Sequence, residues 1–556
     1  MSNEKITSLI SSKLFWLLFI IGVILNGAGL FNEVMDGDSA LYATVSKQMA
    51  VTGDWLNLYF NGHDWLDKPH FPFWMAAISF KLFGISPFTY KLPAFIFWLA
   101  GVWFTFRLAL EMYNKSVAQI AVLVYVIAAH GVIANFDVRA EPYLTTLTIG
   151  AIYYLYKLEK KTSFAYMLLA ALFAAGGIMT KGIFILIPVI AGFVIYWAIT
   201  KQWKQLLHYK WWLTFILAFV FTFPELYSLY VQFDLHPEKI IFDRTGVSGI
   251  KFFFWDSQFG RFFNTGPIKG SGDISFFLHT NLWAFLPWSI LWYVAVVCLF
   301  VKKVAIPVGA QWVIYISAAI TFLLFSLSKF QLPHYIIIIF PQFAIMVAAY
   351  ICAVAGNAKT IKNIFVLQSV LIPIVAVLIT ALILLTRFQG YVPALVLIVI
   401  VAILAFILFK QPAGSTVMGR SYMFGIMLYG FLNFYFYPNL VQYQSGMVAA
   451  KWSNTQNYPA VAKYGISYSF DFYCNKYAPT LENNQALDSF LNAHPPQALL
   501  FVSKSNTDSL IAKGYAVKEL KQFDQFHITI LTLPFLNANA RASAVEKANM
   551  VLISKK

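Results

Sequence analysis

Residues 14–31, LFWLLFIIGVILNGAGLF, run directly into residues 32–74, NEVMDGDSALYATVSKQMAVTGDWLNLYFNGHDWLDKPHFPFW. The first stretch is long and apolar enough to cross a bilayer; the second places Asp36, Asp38, Asp54, Asp64, Asp67 and Lys68 just beyond it. Carboxylates cost several kcal/mol to carry into hydrocarbon. A cluster of them bracketed by apolar runs must therefore face water, a headgroup or one another, and is read here as the floor of a site at the membrane surface.

The rest of the chain agrees with a membrane setting. Of its 556 residues 60% are hydrophobic and only 12% charged, which lies outside the range of soluble globular domains. Nucleic acid is not the expected partner of the +16 net charge, because the lysines and arginines sit in short runs between apolar stretches and form no basic face. Cys298, Cys352 and Cys474 are far apart, which argues against a disulfide framework or a thiolate metal site. Lys5 and Lys13 precede the first apolar run without a small-residue cleavage pattern, so an uncleaved signal anchor is expected.

At about 20 apolar residues per crossing, the sequence predicts an all-α polytopic membrane protein with about 13 transmembrane helices, near 14–31, 92–110, 117–134, 142–157, 164–179, 183–200, 211–230, 276–301, 307–327, 334–355, 361–386, 391–410 and 422–440. With a cytoplasmic N-terminus, the cytoplasmic turns collect basic residues from Lys5 and Lys13 through Lys157, Lys160 and Lys161 to Lys302, Lys303 and Arg420, against the acids Glu4, Glu111 and Glu159. This parity places outside the cytoplasm the loops 32–91 and 231–275, the turns near Asp137, Lys181 and Lys329, and the chain from 441 to 556. Residues 1–440 are thus read as a transmembrane domain, and 441–556 as a small α/β extracytoplasmic domain. In the latter ALLFVS (498–503) and HITILTL (527–533) read as strands, with DSLIAKGYA a short helix between them. In the first loop SALYATVSKQM is predicted as a helix with Asp38 as its N-cap. The cytoplasmic loops are too short for a nucleotide-binding domain, and no Gly-rich phosphate loop is present.

Chemistry-bearing residues fall on the outer side in separate segments: Asp38; Asp67-Lys68; Asp137, Arg139 and Glu141 in NFDVRAEPYLT; Arg261 in FFFWDSQFGRFF; and Lys329, His334 and Tyr335 in SLSKFQLPHY. Carboxylates and cations converging on one face suit transfer chemistry on a phosphorylated substrate. Asp36 and Asp38 spell Asp-Gly-Asp, which invites a divalent-metal reading; two carboxylates are thin evidence for one, and no metal or other cofactor is expected. Lys181, at a tight turn, reads as structural.

The run DSALYATVSKQMAVTGDW, then LDKPHFPFW, DVRAEPYLT, MTKGIFILIP, RFF ahead of FLPWS, and SLSKFQLPHYIIIIFP resembles glycosyltransferase family 39 over roughly residues 14–350. That family contains protein O-mannosyltransferases and the bacterial lipid A aminoarabinose transferase. The resemblance implies a GT-C type membrane fold, a sugar donor carried on polyprenyl (undecaprenyl) phosphate, and a bacterial inner membrane. It also implies that Asp38 is the catalytic base or acceptor-orienting carboxylate. Lys68, in an acid-Lys-Pro motif where Asp67 replaces the usual Glu, would contact the donor phosphate, as would Arg261 and Tyr335. The second acid is Asp137 or Glu141, with Asp137 favoured; Arg139, Lys329 and His334 support. Ser39 and Leu41 stand where the family carries Glu and Arg, so acceptor handling is expected to differ from the aminoarabinose enzyme.

The expected function is therefore an inverting glycosyltransferase acting on an extracytoplasmic lipid A, lipopolysaccharide or protein acceptor. A lipid-linked donor is the natural one where no nucleotide-sugar pool exists. The rival is a transporter or flippase of a lipid-linked sugar, whose polar sites would sit near the bilayer midplane on broken helices.

Overall fold

A computed structural model describes residues 9–301 and 307–555. Lys5, Lys302, Lys303 and Glu4, used above to orient the chain, lie outside the described residues.

All the predicted crossings are helical, but they are not equivalent. Among the described residues eight helices are long and apolar enough to cross a membrane, nine if Lys115–Val126 and Ala129–Phe136, bent by 54°, form one span. The segments 142–157, 183–200, 276–301 and 422–440 are helical yet too short or too polar to pass the same test. Glu141–Lys160 shows why. It is buried along almost its whole length by neighbouring helices, so it meets protein instead of lipid and tolerates Thr145, Thr146 and Thr148. Thr145 and Thr148 donate to the carbonyls of Glu141 and Leu144, both at 2.8 Å, and Thr146 donates to the Phe97 carbonyl of the adjoining helix at 2.6 Å. A central helix can still be strongly apolar, as Pro333–Val354 is, but Glu141–Lys160 shows that one walled in by protein can be more polar than a lipid-facing span.

The bent pair illustrates the same constraint. Backbone groups released at a break in hydrocarbon need protein partners. The Ile127 carbonyl accepts from the Tyr429 hydroxyl at 2.6 Å, and the Ala129 N–H donates to the Leu286 carbonyl at 2.9 Å.

The C-terminal region carries a five-stranded sheet, in the order Thr480–Leu481, Val461–Tyr464, Ala498–Ser503, Glu546–Ser554, Ala516–Gln525. The first three strands are parallel and the last two join antiparallel, with Leu500 opposite Val551. ALLFVS is a strand, as predicted; the helix expected over DSLIAKGYA lies earlier, at Lys504–Ala512, and Ala516 already begins the next strand. HITILTL is not a strand. The place beside Ala498–Ser503 is taken by Glu546–Ser554, with Ala516–Gln525 at the edge, and alternation marks an extended apolar run without saying whether a sheet receives it.

This region is laced to the first loop. Lys47, on the helix Asp38–Thr52, extends its ammonium to the carbonyls closing the helix Tyr468–Tyr473: Asp471 at 2.9 Å, Phe472 at 3.0 Å, and Cys474. A cation at a helix C-terminus satisfies orphan carbonyls and complements the dipole. Tyr473 accepts from the Val34 N–H and donates to Glu33, each at 2.7 Å, while Asp36 accepts from the Ser469 N–H at 3.3 Å and donates its own N–H to Gln444. The Lys47→Met variant removes the shared donor and should lower stability by about 2 kcal/mol, read as a reduced Tm in detergent with the helical circular-dichroism signal retained.

Candidate active site

Gly37 adopts φ 94° and ψ −145°, a conformation L side chains rarely adopt, and this turn launches the helix Asp38–Thr52. Asp38 is therefore the first residue of the helix and Gly37 its N-cap, so the predicted capping role is corrected. The Asp38 carboxylate instead accepts from Arg139 Nη1 at 2.8 Å. Arg139 also grips Asp137 through Nε at 3.1 Å and Nη2 at 2.9 Å. Burial works to lower the Arg139 value, but Asp137, Asp38 and Glu141 outweigh it and raise it further, so the guanidinium stays charged. Asp38 itself is 48% exposed, which leaves it open to an incoming group while Arg139 sets its orientation.

The second cluster joins the first loop to the segment after Leu229. Asp67 receives Lys68 on one oxygen and Arg261 on the other. Arg261 follows the wide-wound helical segment Phe252–Gly260 and lies over the Phe330 ring, 5.5 Å from its centroid. Burial acts to raise the Asp67 carboxyl, but Lys68 and Arg261 overcome it and hold the carboxyl below its ordinary value.

The third cluster contains Glu141, whose carboxylate takes the Lys181 ammonium at 2.6 Å with His334 Nε2 at 3.7 Å. The Lys181 ammonium also sits 3.7 Å from the Tyr335 ring centroid, a cation–π contact. Lys181 ends the helix Phe164–Lys181, and Gly182, with φ 95°, turns the chain tightly against the Gln258 amide, where a Cβ would collide.

Between the second and third clusters lies a cavity of about 110 Å³ whose walls include Lys68, Lys181, Arg261, Asp67, Tyr335 and Phe184. The first cluster joins it through the short turn from Asp137 to Glu141: Arg139 holds Asp38 and Asp137, and Glu141, next but one in the chain, holds Lys181 in the cavity wall with His334 beside it. Asp67, Lys68, Arg261 and Tyr335 thus line the cavity, Glu141 and His334 lie against its Lys181, and Asp38, Asp137 and Arg139 are tied to it through that turn. Lys329 does not join them: its side chain is exposed, and its backbone N–H donates to the Phe262 carbonyl at 3.0 Å. The Asp36 carboxylate accepts from the Ser469 N–H and the Asp38 carboxylate from Arg139, so the Asp-Gly-Asp carboxylates serve different partners.

Two features were not drawn from the sequence. Lys181 is a third cation in the cavity wall, although at a tight turn it reads as structural. Behind Lys68, His70 is fully buried against Glu225: the His70 N–H meets Oε2 at 2.9 Å, Nδ1 meets Oε1 at 3.1 Å, and Nε2 meets the Leu56 carbonyl at 3.0 Å. Glu225 lies inside an otherwise apolar span, and that isolated acid was the available signal. Gln232, bonded to the backbone of Leu58, and Lys239, 2.8 Å from Asp64, complete the seam between the two loops.

The helical bundle and its C-terminal sheet share their fold with solved membrane proteins. ArnT from Cupriavidus metallidurans, in a crystal structure bound to undecaprenyl phosphate, superimposes with a TM-score of 0.72 at 16% identity, covering 97% of this chain and 98% of that one. The archaeal oligosaccharyltransferase AglB from Archaeoglobus fulgidus follows at 0.50, with 10% identity over 95% of this chain and 77% of its own. Residues 67–227 match the family model described as dolichyl-phosphate-mannose-protein mannosyltransferase. Among sequence relatives, the undecaprenyl phosphate-alpha-4-amino-4-deoxy-L-arabinose arabinosyl transferase of Edwardsiella ictaluri is 28% identical over 58% of this chain and 57% of its own length. That of Shewanella sediminis is 25% identical over 62% and 61%. The chain spans about three fifths of the length of these curated relatives. The resemblance to glycosyltransferase family 39 read from the motifs is borne out.

The Asp67 shift has a signed consequence. A carboxyl lowered in the folded state stabilises fully above its ordinary value of 3.8 and loses that contribution as pH falls through the lowered one. The thermal-stability difference between the parent and Asp67→Asn should stay constant between about pH 5 and about pH 8 and narrow only below about pH 4, as followed by thermal melts across a pH series.

Proposed function

We propose that this protein is an inverting membrane glycosyltransferase that moves a sugar, a hexose or pentose, from a polyprenyl (undecaprenyl) phosphate donor to an acceptor outside the cytoplasm. The acceptor class is lipid A, lipopolysaccharide or protein. The supporting observation is the convergence of Lys68, Lys181 and Arg261 on one cavity beside a half-exposed carboxylate held by Arg139. The names of the relatives, which describe transfer from undecaprenyl phosphate, support the donor class.

In the reaction the bond between the anomeric carbon and the phosphate oxygen breaks as the acceptor oxygen bonds to that carbon from the opposite face. The donor phosphodiester carries one negative charge and the departing polyprenyl phosphate two, so the transition state gains charge at the phosphate. Lys68 and Arg261, with Lys181, meet that charge in a partly desolvated wall. Asp38 takes the proton of a hydroxyl acceptor; if the acceptor is a phosphate, it orients without accepting a proton. Asp137 holds Arg139 and thereby Asp38. Glu141 and His334 hold Lys181, and Tyr335 supplies the ring beneath it. Side chains meet the leaving-group charge, so transfer on this reading needs no bound metal, and EDTA should leave the rate unchanged.

On the same reading the N-terminus is cytoplasmic, about thirteen helical segments cross a bacterial inner membrane, and the sheet domain is extracytoplasmic. A transporter is disfavoured because the charged groups gather at helix ends and in loops at one boundary, as at Lys181, Asp137 and Asp38.

Assayed in detergent with a synthetic polyprenyl-phosphate sugar, Asp38→Asn should lower transfer to a hydroxyl acceptor by about 10² to 10⁴-fold. Full activity of that variant removes the proposed base. Lys68→Gln and Arg261→Gln should each weaken use of the donor and still melt cooperatively; unaltered KM and kcat in both would remove the phosphate clamp.

A further inference from the structure

From Phe526 to Ala540 the chain reads FHITILTLPFLNANA, without a single Asp, Glu, Lys or Arg. Within it Ile530, Leu531 and Leu533 are 63%, 40% and 75% exposed, although Phe535 is fully buried. The ends of this loop are pinned. Phe526 and Phe535 stack with centroids 3.8 Å apart and planes 7° from parallel, and the Phe526 N–H donates to the Tyr443 carbonyl at 2.9 Å. Beyond the loop, the Ala538 N–H donates to the Leu385 carbonyl at 2.9 Å, Arg541 bonds the Thr386 carbonyl, and its guanidinium covers the Phe388 ring at 4.2 Å.

These anchors fix the loop's level. Leu385 and Thr386 end the helix Ala358–Thr386, which pairs with Tyr391–Leu408, and both are spans with mostly open, apolar surfaces. Leu384 and Val392, beside the turn between them, are themselves exposed apolar residues. The loop's bare side chains therefore continue the lipid-facing surface of this helix pair, at the bundle end that holds the site. An exposed, uncharged apolar tip tied to the end of a span fits the boundary between headgroups and acyl chains.

We propose that residues 529–533 are seated in the membrane, with Ile530, Leu531 and Leu533 among the acyl chains of the leaflet on the site's side, while Ile528 stays in the protein core. The occupant of this surface is lipid. The loop also touches the catalytic turn: a Cβ on Gly37 would meet the Thr529 methyl at 3.6 Å. Seating the loop thereby holds the C-terminal domain against the bilayer directly beside the residue that launches the Asp38 helix. This inference stands independently of the sugar-transfer reading, since it concerns only where the loop lies.

The test uses the full-length chain in lipid nanodiscs, with Cys298, Cys352 and Cys474 replaced by alanine. A nitroxide is placed singly at Ile530→Cys, Leu533→Cys and, as a water-facing reference on the sheet domain, Lys504→Cys. Power-saturation spectra should show the labels at 530 and 533 more accessible to oxygen than to a nickel chelate, and the label at 504 the reverse. Chelate accessibility at 530 and 533 equal to that at 504 overturns the proposal. So does exclusion of both reagents, which would mean that protein covers the loop.

Discussion

Arg139 is the interaction on which the site depends. It lies between Asp137 and Asp38, two acids about a hundred residues apart in the chain, and without it two carboxylates would face each other at the edge of a low-dielectric medium. One guanidinium can satisfy both because its donors are fixed in a plane and fork toward different oxygens. The same economy recurs nearby. Asp67 is shared by Lys68 and Arg261, and Glu141 by Lys181 and His334. In the cavity wall Lys68, Lys181 and Arg261 stand against the single carboxylate of Asp67, so an anionic group entering the cavity meets cations already positioned by the protein.

This arrangement is supported by elements that carry no chemistry. The His70 and Glu225 pair fixes the loop just after Lys68 to a span more than a hundred residues later, and Gln232 and Lys239 stitch the same two loops further out. On the opposite flank Asp36, Glu33 and Val34 are bound to the C-terminal region, so the turn that presents Asp38 is gripped from below by the bundle and from above by the sheet domain. Preorganisation of this kind keeps reacting groups in place without reorganisation during the reaction.

Much of the site was legible because charge beside lipid is expensive and therefore informative. Asp38, Lys68, Arg139 and Arg261 stood out in the sequence for that reason. Lys181 did not, since a lysine at a tight turn has an ordinary structural explanation, and Lys329, which was expected to support the site, lies exposed outside the cavity. The thirteen helical segments were readable from apolar runs, yet Glu141–Lys160 is more polar than a lipid-facing span because its threonines bond within the bundle. HITILTL carried a strand's alternation, and its apolar side chains project instead from a pinned loop.

The sequence by itself determined that the chain is a helical membrane protein with its reactive groups gathered near one boundary. In hydrocarbon every backbone donor must find a partner within the protein, and a charge either goes to the edge or is paired inside the bundle, as Glu225 is with His70. Only the tertiary structure decided which charges meet: Asp38 with Arg139, Lys181 with Glu141, and Arg261 with Asp67. Those pairings depend on how helices distant in the chain pack side by side, and a local pattern of residues does not encode the distance between two segments that never adjoin in sequence.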